Sequence, residues 1–216
     1  MEDIQFNKED FYLLGAGGFS RELESWFTNS NCSKDYQLVG YIDDNIKALD
    51  HLENDFKIID TFENGSIWKG ANIVVAIASC ETKEKLHEKL KINDCKILSF
   101  HHDTVLIAHN TKIGVGYVFC PYVLISCNVI IGNLVSINSG SQIGHDVQIG
   151  NFTSIMANVD IGGGAIIGNN VFIGSNAVIL PGVKIPDNTR IGAGAVVLKS
   201  IKHVGTYFGN PAKKIF

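Results

Sequence analysis

Histidine exchanges a proton near neutral pH more readily than any other side chain, and an acidic neighbour makes it a better base. In this chain His145 is followed directly by Asp146, within Asn138-Ser-Gly-Ser-Gln-Ile-Gly-His-Asp-Val-Gln-Ile-Gly150. Such a pair can take a proton from an attacking nucleophile. The same two residues also suit a solvated surface. His109 lies 36 residues earlier. A second group of interest stands near the start. Gly15-Ala-Gly-Gly18 follows the apolar run Phe11-Tyr-Leu-Leu14 and precedes Phe19-Ser-Arg-Glu-Leu-Glu-Ser-Trp-Phe27, which has helical spacing. A glycine-rich turn at a helix N-terminus offers backbone N–H groups to a phosphate. Asp43 and Asp44, about 25 residues past Gly18, close the next apolar run, where a carboxylate can accept hydrogen bonds from a ribose or a base. Ser20 occupies the place of the third glycine in G-x-G-x-x-G, which argues against a redox dinucleotide.

The elements that position these residues differ between the two parts of the chain. From Ile107 to Val197 every sixth residue is apolar. The series runs through Ile113, Phe119, Ile125 and so on to Ile191, sixteen positions of which fourteen are Ile. A second track of small or β-branched residues lies two positions earlier, from Val105 to Ala195. Inward residues at i and i−2 describe a short strand. Glycine often follows the Ile, as at Gly114, Gly144 and Gly168, and suggests a bend there. Each six-residue unit is then a strand and a turn, three units make a coil of 18 residues, and stacked coils share one core. This predicts a parallel β-helix. Residues 11–101 instead alternate strands (11–14, 37–42, 72–78, 96–100) with helices (19–27, 81–90), predicting a small Rossmann-like parallel sheet. The expected division is therefore 1–101 and 102–216.

A register of 18 residues per coil puts His109 and His145 on one corner, two coils and roughly 10 Å apart. One metal ion cannot reach both, since Zn–N bonds are about 2 Å; no metal site is expected. His101 and His102, at the junction of the two parts, suit packing or capping. The chain has 216 residues, net charge −4 and five cysteines without C-x-x-C spacing. No basic cluster suggests nucleic acid, no apolar run reaches the ~18 residues of a membrane span, and the acidic start is unlike a secretory signal. A cytoplasmic protein with free thiols is expected.

Taken together, the order G-A-G-G-x-x-R-E, Y-I-D-D-N, A-I-A-S and hexapeptide units resembles the bacterial nucleotide-sugar acetyltransferase family, the PglD/NeuD-like sugar O- and N-acetyltransferases, over nearly the whole chain. The closing Gly209-Asn-Pro-Ala-Lys-Lys-Ile215 fits as well. The resemblance implies a left-handed β-helix, a homotrimer with sites between subunits, and acetyl-CoA as co-substrate without a metal. It implies N-acetylation of a nucleotide-linked 4-amino-4,6-dideoxy sugar by direct attack on the thioester. O-acetylation of sialic acid or another hydroxyl, and a scaffolding solenoid without catalysis, are the alternatives. By resemblance, His145 is the general base, Asp146 its acidic neighbour, and Asn138 lines the site. Gly17, Gly18, Phe19, Asp43, Asp44 and Ala78 hold the nucleotide-sugar. Ser154, Gly174, Ser175, Ala193 and Gly194 hold acetyl-CoA. Two residues depart from the pattern. Phe19 stands where the family often has His or Tyr, and Ser154 where close members carry a second histidine.

Overall fold

The computed structural model describes residues 8–28, 30–63 and 68–215. It divides into two compact units. One comprises residues up to Ile77 together with Leu86–Leu98, and the other Ala78–Lys85 together with Ser99–Phe216. A single cut after residue 101 is thus replaced by a division that runs through a helix.

The first unit is built on a five-stranded parallel sheet in the order β3-β2-β1-β4-β5. Its strands are β1 (Glu9–Leu14), β2 (Tyr36–Ile42), β3 (Ile58–Asp60), β4 (Asn72–Val75) and β5 (Lys96–Ile97). The apolar residues of β1 and β4 are buried, as a sheet covered on both faces requires. Helix α1 (Gly18–Thr28) buries Ser20, Leu23 and Phe27. Strand β3 went unseen in the sequence because it is three residues long and follows a polar stretch. The expected strand over 72–78 ends at Val75.

The second unit is a three-sided parallel β-helix. All strand pairs from Phe100 to Val197 join residues 18 apart, such as Ile137 with Ile155 and Ile161 with Ile179. Strands visit the first, second and third faces in turn. From Phe119 to Val197 both inward tracks are buried. Only the starting coil departs, with Ile107 42% exposed and Ile113 half-buried. Burying each Ile stabilises the fold by about 1.5–3 kcal/mol, so stability grows coil by coil. Inward hydroxyls find partners: Ser141 donates to the Met156 carbonyl at 2.8 Å and Thr153 to that of Gly168 at 2.9 Å.

The turn chemistry differs from expectation. The left-handed residue comes three positions after the Ile, not one. Asn110, Gly116, Asn128, Gly140, Asp146, Gly164 and Asn188 all occupy that place with φ between +57° and +73°, a region Gly and Asn tolerate best. The glycine directly after the Ile is needed for space. A Cβ on Gly150 would lie 2.6 Å from the Asn169 nitrogen of the next coil.

The predicted strand over 96–100 also splits. Lys96–Ile97 completes the front sheet, whereas Phe100–His101 pairs with Val118–Phe119 as the first rung of the solenoid. His101 occupies the place of an inward Ile, so a polar residue hid this rung from the hydrophobic period. Its ring stacks on Tyr117, with centroids 6.2 Å apart. At the far end Thr206–Phe208 adds to the first face beside Arg190–Ile191, after the six-residue period has ended.

Helix α2 (Cys80–Ile92) begins in the solenoid unit. There Lys83 is 1% exposed. Its Nζ donates to the Leu134 carbonyl at 2.8 Å, the Thr153 carbonyl at 3.1 Å and Ser136 Oγ at 3.3 Å. The next helical residue, Glu84, accepts a hydrogen bond from Asn170 Nδ2 at 2.9 Å. The start of the helix is therefore fastened to the first face by its polar side chains.

Candidate active site

His145 and Asp146 sit on the edge between the second and third faces, after the strand Gln142–Ile143. Asp146 has φ +60°, and its N–H bonds the Cys127 carbonyl one coil below at 3.1 Å. This backbone turn leaves both side chains exposed. His145 Nδ1 lies 2.7 Å from Asp146 Oδ2. The hydrogen bond from His145, and after it one from the Asn128 side chain, hold the Asp146 carboxyl below the usual carboxylate range. Asp146 is thus an anion at neutral pH. An anion opposite Nδ1 selects the tautomer with its proton there, which leaves the Nε2 lone pair free to accept one.

His109 and Cys127 stand below His145 in the same column. The bond from Asn128 N–H to the His109 carbonyl, 3.2 Å, marks the step between coils. Among the described residues no group of three His, Cys, Asp or Glu is placed to hold a metal ion.

Asn138 lies on a different edge, between the first and second faces, where its Oδ1 accepts the Ser139 N–H at 2.6 Å. Gly174 stands two coils along the same column, and Gly194 N–H bonds the Ser175 carbonyl at 2.8 Å. Asn138, Gly174, Ser175, Ala193 and Gly194 therefore share one edge and His145 and Asp146 another. One chain does not bring the two sets together.

Ser154 requires a correction. It points outward from the first face, yet it is 0% exposed and takes a hydrogen bond from Ser136 Oγ at 3.1 Å, beneath Lys83. The helix start covers it, so it has no access to a ligand in this fold.

In the first unit the glycine-rich turn is a shaped feature. Gly15 has φ +102°, and a Cβ there would approach Ile77 Cγ1 to 3.0 Å. Gly17 and Gly18 are exposed, with open space at Gly17 and the Arg21 side chain 3.8 Å from where a Cβ on Gly18 would lie, and Phe19 is half-buried. Asp43 Oδ2 accepts the Ala16 N–H at 2.7 Å and its Oδ1 the Asn45 N–H at 2.8 Å. Asp44 Oδ1 accepts the Phe62 N–H at 2.8 Å. Both carboxylates thus brace the loops around the turn. Ser20, at the missing third glycine, bonds the Ala76 carbonyl at 3.0 Å and ties the helix start to the strand beside it. Ala78 belongs to the solenoid unit.

Residues 10–90 match the PglD N-terminal domain, and residues 164–199 match the bacterial transferase hexapeptide family, six repeats. These two matches cover separate stretches, one in each half of the chain. A GDP-perosamine N-acetyltransferase from Escherichia coli is 31% identical over 142 residues, 63% of this chain and 62% of that protein. The chain thus matches a little under two thirds of the relative's length. Solved structures extend the likeness to the whole fold. A mutant of GDP-perosamine N-acetyl transferase from Caulobacter crescentus, in complex with CoA and GDP-perosamine, has a TM-score of 0.85 at 21% identity, covering 98% of each chain. The acetyltransferase domain of PglB from Neisseria gonorrhoeae has a TM-score of 0.86 at 22% identity, covering 96% of this chain and 100% of that one.

Proposed function

We propose that this chain is an acetyl-CoA-dependent N-acetyltransferase acting on the 4-amino group of a nucleotide-linked 4-amino-4,6-dideoxy sugar, with a GDP-linked sugar first among the acceptors. The observation that carries the reading is the His145–Asp146 pair, with Nδ1 held at 2.7 Å from the carboxylate and Nε2 left free. The GDP-perosamine N-acetyltransferase with 31% identity supports the acceptor class.

In this mechanism the neutral sugar amine attacks the thioester carbon. The C–N bond forms, the carbonyl oxygen takes the negative charge, and His145 Nε2 accepts the ammonium proton. Collapse of the tetrahedral intermediate breaks the C–S bond. The imidazolium returns its proton to the departing CoA thiolate. Asp146 stabilises the imidazolium between these two transfers. Gly17, Gly18 and Phe19, with Asp43 and Asp44 shaping the turn, receive the nucleotide. The edge carrying Gly174, Ser175, Ala193 and Gly194 receives acetyl-CoA.

The active form in this reading is a homotrimer, because the two halves of the site lie on different edges of one β-helix. A neighbouring copy related by a threefold axis can set one edge against the other. Among the described residues the cysteines form no disulfide, and the reading is of a cytoplasmic enzyme. Light scattering should give about three times the 23.5 kDa chain mass, and titration calorimetry should show one acetyl-CoA bound per chain. A fully active monomer would contradict the shared site, and absence of acetyl-CoA binding would contradict the function.

A further inference from the structure

His145 has neighbours in the coils above and below that the proposed chemistry does not itself use. One coil further on, at the same place in the turn, stands Gly163. A Cβ on Gly163 would lie 2.6 Å from His145 Nε2, 2.7 Å from Cε1 and 3.0 Å from Cδ2. The imidazole therefore lies over the space that a side chain at 163 would fill. The backbone of Gly163 does not lie in the left-handed region, which falls instead on Gly164 at φ +69°. Glycine at 163 is thus explained by the ring that lies against it and not by backbone geometry. Gly164 N–H bonds the His145 carbonyl at 2.8 Å, so the two turns stay in fixed register. One coil below, Asn128 repeats the left-handed geometry of Asp146, with φ +60° at both positions. Its amide, one coil from the Asp146 carboxylate, favours the ionised form of that group.

We infer that Gly163 and Asn128 are positioning residues: Gly163 leaves the slot in which the imidazole rests, and Asn128 fixes the carboxylate that orients Nδ1. This rests on the reading of His145 as general base. A slot of this kind matters because a proton acceptor displaced by about 1 Å can lose on the order of 10²-fold in rate. The three atoms nearest an added methyl at 163 all belong to the exposed His145 ring, so the ring gives way and the fold does not.

The test is a double-mutant cycle on the full-length chain with acetyl-CoA and GDP-perosamine. Gly163→Ala should lower kcat by about 10–100-fold, with both KM values within about threefold and the melting curve unchanged. In the His145→Ala background the same substitution should change kcat less than about twofold, because its only route is through the imidazole. Asn128→Gly, which keeps the left-handed backbone and removes the amide, should lower kcat by roughly tenfold and likewise have no effect once His145 is gone. Wild-type kcat in Gly163→Ala would overturn the inference. So would an equal loss in the His145→Ala background, which would mean that the methyl acts on the fold or on the acyl donor. A His145→Ala enzyme with wild-type kcat would instead remove the general-base reading itself.

Discussion

Replacing His145 with alanine should lower kcat by ~10²–10⁴, the usual contribution of a positioned general base. Binding of both substrates should remain, because the side chain is two-thirds exposed on an edge and supports no part of the core. Asp146→Asn should cost less. It retains the shape but removes the negative charge that favours the imidazolium. Asp146 is held below the usual carboxylate range by His145 and Asn128, so it stays ionised across the neutral range and the loss in Asp146→Asn should persist throughout it. Initial rates of CoA thiol release between pH 5.5 and 8.5 check both variants. A His145→Ala enzyme with wild-type kcat at neutral pH would refute the assignment.

The second large effect is on stability. Lys83 is buried, and its amine meets three neutral acceptors on the first face. Burial pushes its pKa from 10.5 down to about 7, opposed by the nearby Cys80. Lys83→Ala should destabilise the chain by about 3–5 kcal/mol, because it opens a cavity, leaves the Leu134 carbonyl without its donor and leaves that of Thr153 with the Ser136 N–H alone. Lys83→Met keeps the volume and isolates the proton. Between pH 7 and 10.5 the unfolded amine holds a proton that the native amine lacks, so native stability rises with pH across that window. Below the window the slope vanishes. The gap in urea unfolding free energy between wild type and Lys83→Met should therefore shift toward wild type by on the order of 1–3 kcal/mol from pH 7 to 9.5. Parallel curves would show that the amine stays charged in the folded state.

The solenoid was legible because its unit is short and repeats without interruption: an Ile every sixth residue admits no helix and no hairpin. What the pattern hid has physical causes. His101 breaks the hydrophobic period although the backbone of Phe100–His101 continues the ladder. The glycines that were read as bends give room to the next coil, and the bend is at residues such as Asn128 and Asp146. The His145–Asp146 pair could be read directly because the two residues are adjacent in sequence. Gly163 and Asn128 become visible only when coils are stacked in steps of 18. Ser154 misled because an outward position in a hexapeptide unit normally faces solvent, and here the helix start covers it. Lys83, in Glu81-Thr-Lys-Glu-Lys85, reads as part of a solvated charged face. Nothing in that run shows that its amine reaches the strands of a distant coil.

The central claim is acetyl transfer to a sugar amine, and it is tested most directly by product analysis. The chain should be incubated with acetyl-CoA and a panel of GDP-, UDP- and dTDP-linked 4-amino-4,6-dideoxy sugars, with free thiol and sugar mass measured together. One thiol should appear for each sugar that gains one acetyl group, fastest with a GDP-linked acceptor, and the acetyl should resist mild alkali as an amide does. No thiol release above buffer with any amino-sugar, or an alkali-labile acetyl ester in place of the amide, would contradict the account.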